Sequence, residues 1–152
     1  ADGTDSPLIG FDANDITIPM LDGQELKLSE IPEQVVVLDF WATWSAPCLR
    51  TLPQLVSLLN NFPEGAVKLV AVNQQETPFT IQTFQASRDL EMNVGLDPEL
   101  KLADTFGVDV IPHAVILGPD RKVAQHKQRD RGDRHGDDGG RTCDGAGQRN
   151  TG

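Results

Sequence analysis

The stretch "VVVLDFWATWSAPC", residues 35–48, decides the fold. Its first half is a continuous, largely β-branched apolar run, which is typical of a strand covered on both faces of a sheet. Its second half leads into apolar residues at helical spacing, with Ser45 and Pro47 at the positions that favour a helix start. The stretch therefore predicts a buried strand, a short loop and a helix that carries Cys48 in its first turn.

The sequence on either side alternates strand and helix patterns. Residues 15–20 and 24–29 alternate apolar and polar side chains around an Asp-Gly turn, which predicts a β-hairpin. After Cys48 the patterns predict a helix to residue 61 kinked at Pro53, a strand over 66–73, a helix from Thr77, a short strand, a helix closed by Gly107 and a hairpin that turns at 118–121. This order predicts an α/β fold of three layers, with a mixed central sheet flanked by helices and preceded by an N-terminal β-hairpin.

Composition divides the 152 residues into two parts. Residues 127–152 contain no Val, Ile, Leu, Met, Phe or Trp and are rich in Gly, Arg and Asp. Such a segment buries too little apolar surface to offset its ordering entropy. We therefore expect one domain over residues 8–126 and a disordered, low-complexity tail over 127–152, which includes Cys143.

The formal net charge of −10 resides mainly in residues 8–126. An acidic body argues against nucleic acid as a partner. No apolar run reaches the roughly 20 residues of a membrane-spanning helix. The sequence thus predicts a chain that does not span a membrane, with no metal site and no cofactor.

The phrase "FWATW-x-x-P-C" with a following kinked helix, and the later "GVDVIPHAVIL" (107–117), resemble the thioredoxin fold in its TlpA/ResA-like and redoxin branch. The resemblance covers about residues 8–126. It implies a thiol–disulfide oxidoreductase that acts on protein thiol and disulfide clients, with an electron donor that the sequence does not identify. It also implies an extracytoplasmic location, periplasmic or membrane-anchored, although a cytoplasmic location stays open.

Members of that family use Cys-x-x-Cys, whereas this chain has Ser45-Ala46-Pro47-Cys48. The resemblance assigns attack on the substrate disulfide to position 45 and resolution of the mixed disulfide to Cys48. A serine hydroxyl is a poor nucleophile and forms no disulfide, so a complete dithiol cycle within this motif is chemically excluded. Ser45 is either natural or introduced, and the simplest structural role for it is the N-cap of the helix.

The resemblance also assigns roles around the motif. Asp39 matches a buried acid that exchanges protons with the resolving cysteine, and such a carboxyl should have a raised pKa; the alternative is a place at a wet sheet edge. Pro112, after Ile111, matches a cis-proline whose neighbouring backbone pairs with an extended substrate peptide.

Three further residues join the candidate site. Trp44 and Pro47 are expected to contact clients, while Trp41 packs in the core. Glu76, which follows "VNQQ", matches an acidic residue near the site.

Two alternatives to a disabled oxidoreductase stay open. Peroxiredoxins resemble this fold and carry Thr/Ser-x-x-Cys, so Cys48 is compatible with a monothiol, peroxiredoxin-like peroxidase. A non-catalytic module that binds clients is the other alternative. We expect His113, at the start of a strand, to be a satisfied structural residue.

Overall fold

The structure is a computed structural model that describes residues 8–128, 141–144 and 146–148. Helices and strands of the body follow one another as the sequence predicts. The strands are β1 (Thr17–Pro19), β2 (Glu25–Lys27), β3 (Val35–Trp41), β4 (Val67–Gln74), β5 (Asn93–Asp97), β6 (His113–Leu117) and β7 (Val123–Gln128). The helices are α1 (Ala46–Leu59), α2 (Pro78–Arg88) and α3 (Lys101–Phe106).

A five-stranded mixed sheet lies at the centre, in the order β5-β4-β3-β6-β7. The apolar strand β3 is its middle strand, parallel to β4 and antiparallel to β6. Strands β1 and β2 form the expected antiparallel hairpin. The predicted fold class, a three-layer α/β arrangement with an N-terminal hairpin, is therefore confirmed.

The two faces of β3 bury different partners, because successive side chains of a strand point to opposite sides. On one face, Val36, Leu38 and Phe40 belong to the largest cluster, which also contains Ile18 of the hairpin and Phe106 of α3. The other face carries Val37, Asp39 and Trp41. Its apolar residues pack with Leu52 and Leu55 of α1. Because both faces of β3 are covered, its sequence is a largely continuous run of apolar residues.

The N-terminal hairpin closes one edge of the sheet. Met20 forms a bridge with Gly95 of β5, and the Leu21 amide donates to the Val94 carbonyl at 2.9 Å. A Cβ at position 95 would lie 2.7 Å from Cγ2 of Ile18, so the close approach of the hairpin requires glycine there.

Several boundaries differ from those predicted. The strand β7 continues to Gln128, past the domain boundary expected at residue 126, and α1 ends at Leu59 rather than at residue 61. Within the predicted disordered tail, Arg141–Asp144 and Ala146–Gln148 form an antiparallel pair, β8 and β9, which the composition did not indicate. The rest of that tail lies outside the described residues.

The short helix α3 depends on the buried carboxylate of Asp97. Its two oxygens accept hydrogen bonds from the Leu102 and Ala103 amides, both at 2.9 Å. Asp97 therefore caps the first turn of α3, since the N-cap residue Leu100 makes no side-chain hydrogen bond. Asp97→Ala should lower the free energy of unfolding by about 2 kcal/mol, because it leaves the buried amide of Ala103 and the partly buried amide of Leu102 without an acceptor. Urea denaturation measures this.

Glu99→Ala is the matched control, since Glu99 is an exposed carboxylate that pairs with the exposed Lys101 at 3.3 Å. Glu99→Ala should lower the free energy of unfolding by less than about 0.5 kcal/mol. Equal effects of the two substitutions would contradict the capping role of Asp97.

Candidate active site

The register of the sheet brings the candidate residues to one edge. Phe40 pairs with His113, and Trp41 pairs with Asn73. The carboxyl ends of β3 and β4 therefore lie beside the amino end of β6. The loop that carries the "SAPC" motif, the turn that carries Glu76 and the Ile111–Pro112 segment all leave the sheet at this edge.

Ser45 is the N-cap of α1, as the sequence predicts. Its backbone is extended (φ −97°, ψ 106°), and its hydroxyl oxygen accepts a hydrogen bond from the Cys48 amide at 3.4 Å. The side chain is almost fully buried, and Pro47 follows in the first turn. Ser45 thus performs the capping role expected for it.

Cys48 lies in the first turn of α1 with 1% of its surface exposed. It packs in an apolar cluster with Trp41 of β3, Leu52 of α1, Ile81 of α2 and other buried residues. A sulfur in this position meets a substrate disulfide only after its covering residues move, because thiol–disulfide exchange requires direct access.

Asp39 lies on the α1-facing side of the central strand, with 1% of its surface exposed. Trp41, two residues on, is on the same side and belongs to the cluster that contains Cys48. The alternative place at a wet sheet edge is wrong, because β3 is the middle strand of the sheet. The raised pKa expected for this carboxyl stays a prediction.

Glu76 fixes the loop that precedes α1. Its Oε1 accepts hydrogen bonds from the Thr43 amide at 2.9 Å and from Asn73 Nδ2 at 2.8 Å, and its Oε2 accepts one from the Thr43 hydroxyl at 2.5 Å. The carboxylate therefore ties the loop between β3 and Ser45 to the end of β4. The sequence indicated Glu76 but not its partners Thr43 and Asn73, which are 33 and 3 residues away from it.

The two tryptophans of the motif differ completely in exposure. Trp41 is fully buried, whereas Trp44 is 70% exposed. Two further large apolar side chains at this edge are exposed, Phe79 at 77% and Val110 at 52%. Phe79 and Val110 were not predicted from the sequence, because an exposed apolar residue has no distinctive sequence pattern.

The Ile111–Pro112 segment lies between α3 and β6, and its peptide bond is cis. Pro112 is buried. Ile111 is half-buried and packs against both major clusters, including the one that contains Cys48. The segment therefore lies beside the cysteine cluster.

The described residues contain no group of three or more His, Cys, Asp or Glu side chains arranged to hold a metal ion. In the same part of the chain, every helix is too short or too polar to cross a bilayer.

Solved structures share this architecture. A putative thiol:disulfide interchange protein DsbE from Chlorobium tepidum superposes with a TM-score of 0.70 and 28% identity over 79% of this chain and 84% of that one. StoA from Bacillus subtilis superposes with a TM-score of 0.64 at 24% identity, over 74% of this chain and 86% of that one. The thioredoxin-like fold is thereby confirmed.

Curated relatives are similar in sequence over most of the domain. The thiol-disulfide oxidoreductase ResA of Bacillus cereus (strain ZK / E33L) is 28% identical over 117 residues, which are 77% of this chain and 68% of that protein. The ResA protein of Bacillus subtilis (strain 168) is 28% identical over 123 residues, 81% of this chain and 69% of that protein. Residues 9–126 match the sequence profile of the AhpC/TSA family. This match extends from before the N-terminal hairpin into β7 and includes the motif that ends in Cys48, and the chain belongs to the AhpC/TSA family.

Proposed function

We propose that this chain is a thiol–disulfide oxidoreductase domain of the ResA type whose dithiol cycle is disabled at position 45. The observation that carries the proposal is Ser45, which caps α1 three residues before Cys48. The similarity to proteins named thiol-disulfide oxidoreductase ResA supports the reaction class. An extracytoplasmic location belongs to the same proposal.

The dithiol cycle needs two sulfurs. One thiolate attacks a client disulfide, forms a mixed disulfide and releases the first client sulfur as a thiolate. A second thiolate then attacks the mixed disulfide, releases the second client sulfur and leaves both enzyme sulfurs joined. Ser45 supplies no sulfur for the first step, and the buried Cys48 is placed for the second. We assign Asp39, on the same side of β3 as the cysteine cluster, the role of proton acceptor for Cys48.

Insulin reduction tests this proposal. Because the attacking sulfur is absent, the chain should not accelerate the precipitation of insulin chains beyond the rate with dithiothreitol alone. Catalysis by the unmodified chain would contradict the proposal.

A peroxidase is supported less well. Peroxide must reach the sulfur of the reacting cysteine, and Cys48 has only 1% of its surface exposed.

Client binding is a second candidate function, favoured by the exposed apolar side chains at this edge. We name Trp44, Phe79, Val110 and the Ile111–Pro112 segment the client face. Trp44 and Phe79 expose most of their surface to water, although the exposure of large apolar side chains to water is energetically unfavourable. An extended apolar segment of a client would cover them, with Pro47 in the first turn of α1 beside it. Binding would not need a reactive sulfur.

The double substitution Trp44→Ala/Phe79→Ala should weaken the binding of a client peptide about tenfold or more, because aromatic anchors carry most of the binding free energy in such contacts. Calorimetric titration with S-carboxymethylated insulin B chain, which has no sulfur available for exchange, measures this. Cys48→Ala should bind the peptide as tightly as the unmodified chain.

Leu58→Ala is the matched control. Leu58 is 57% exposed but lies near the end of α1, at the edge of the molecule opposite the client face. Equal weakening by Leu58→Ala, or unchanged binding by the double variant, would refute the client face.

A further inference from the structure

Two histidines form a buried pair that takes no part in the proposed chemistry. His113 is the first residue of β6 and follows Pro112 directly, and His126 lies on the neighbouring edge strand β7. Nε2 of His113 lies 2.8 Å from Nδ1 of His126, and the rings meet edge to face with centroids 5.0 Å apart. The two side chains are 9% and 5% exposed.

The hydrogen bond of the pair needs one ring nitrogen without a proton, so it is lost when both imidazoles are charged. One imidazole donates its N–H and the other accepts with a bare nitrogen. The remaining ring nitrogen of His126, Nε2, is buried and has no hydrogen-bond partner among the described residues. A first added proton gives the pair a buried positive charge, and Nε2 of His126, which carries a proton whenever His126 is charged, has no acceptor for it among the described residues. A second proton places two N–H groups face to face and removes the hydrogen bond.

The surroundings of the pair disfavour its charged forms. Across β3 the residue opposite His113 is Phe40, and the residue opposite His126 on β6 is Val115. Burial is the main cause that lowers the pKa of His113, to about 4, with a further contribution from His126. Burial also lowers the pKa of His126. Within the described part of the chain, Asp109 is the charged group that opposes these effects, because its carboxylate raises the pKa of His113.

We propose that the His113–His126 pair is an acid-sensitive latch that fastens β6, and with it the Ile111–Pro112 segment, to β7. At neutral pH the hydrogen bond holds the start of β6 beside the edge strand. In acid the latch opens and the β6–β7 hairpin loosens before the β3–β4 part of the sheet. The proposal concerns the fold at this edge and does not depend on the oxidoreductase chemistry.

The direction of the pH effect follows from the lowered pKa values. An unfolded histidine binds a proton near pH 6.5, whereas the folded pair resists protonation until a lower pH. The stability that the neutral pair contributes is thus fully present above about pH 6.5 and is lost as the pH falls toward 4. The carboxyl of Asp12, whose pKa is lowered by hydrogen bonds from Asn14, titrates below this window.

Thermal unfolding of the full chain at pH 7.5 and pH 4.5 tests the latch. The unmodified chain should lose about 5–10 °C in Tm between the two values. The double variant His113→Leu/His126→Leu, which replaces both partners with apolar groups, should lose much less. An equal loss in the two proteins would overturn the proposal.

Amide hydrogen exchange on the unmodified chain gives a second test that needs no variant. On acidification, protection corrected for the intrinsic exchange rate should fall in residues 113–117 and 123–127 before it falls in residues 35–41 and 67–74. A parallel loss in all four segments would overturn the latch.

Discussion

Arg121→Met should lower the free energy of unfolding by about 4 kcal/mol or more, a large part of the 5–15 kcal/mol that a typical domain possesses. Arg121 is 4% exposed, and its guanidinium donates five hydrogen bonds, all to backbone carbonyl oxygens. The donor–acceptor distances lie between 2.5 and 3.0 Å. The accepting carbonyls belong to Leu28, Ile31, Glu33, Gln34 and Gly118.

These contacts join segments that are distant in sequence. Four of the five carbonyls lie between the N-terminal hairpin and β3, and the fifth lies in the turn that carries Arg121. Methionine fills a similar volume but donates nothing, so it would leave buried carbonyl oxygens without donors. Arginine and methionine also bear the same backbone cost at φ 62°, so the comparison isolates the guanidinium.

Urea denaturation of Arg121→Met measures the loss, with Lys122→Met as the control. Lys122 is the next residue, is exposed and carries the same charge. Its substitution should change stability by less than about 0.5 kcal/mol. A similar stability for Arg121→Met and the unmodified chain would contradict the role assigned to the guanidinium.

Sequence patterns predicted the parts of this structure that depend on local signals. The continuous apolar run gave the central strand, and the N-caps Ser45 and Thr77 and the C-cap Gly107 are where the patterns indicated. Each of these signals acts within a few residues, because a cap hydrogen bond or a left-handed φ is set by its immediate neighbours.

The contacts that depend on tertiary structure were not predictable in the same way. Arg121 meets Leu28 across 93 positions, Glu76 meets Thr43 across 33, and His113 meets His126 across 13. None of these pairs has a pattern in a local window. The register of the sheet and the turn geometry bring them together, and both exist only once the fold is formed.

Ser45→Cys should convert the chain into a catalyst of disulfide reduction, with a rate about 100-fold or more above that of the unmodified chain. The substitution changes one atom at the N-terminus of α1, where the helix amides stabilise a thiolate. Cys48 is already in the first turn, three residues on, at the spacing of a resolving sulfur. Both steps of the dithiol cycle then have a sulfur, and because position 45 is 2% exposed, the client disulfide reaches it when the residues that cover it move.

Two variants distinguish this increase in rate from the effect of adding a thiol at a neighbouring position. Ala46→Cys adds an exposed sulfur one residue further along and should leave the rate near that of the unmodified chain. Ser45→Cys/Cys48→Ala retains the attacking sulfur without the resolving one, so it should accumulate a mixed disulfide with the client and turn over slowly. Mass spectrometry of the trapped complex identifies the attacking position.

The turbidity of insulin under dithiothreitol, recorded in parallel for the unmodified chain, Ser45→Cys and Ala46→Cys, tests the central claim most directly. We predict rapid precipitation with Ser45→Cys and the background rate with the other two. A folded Ser45→Cys protein that stays at the background rate would contradict the claim that the missing sulfur at position 45 is what disables this site.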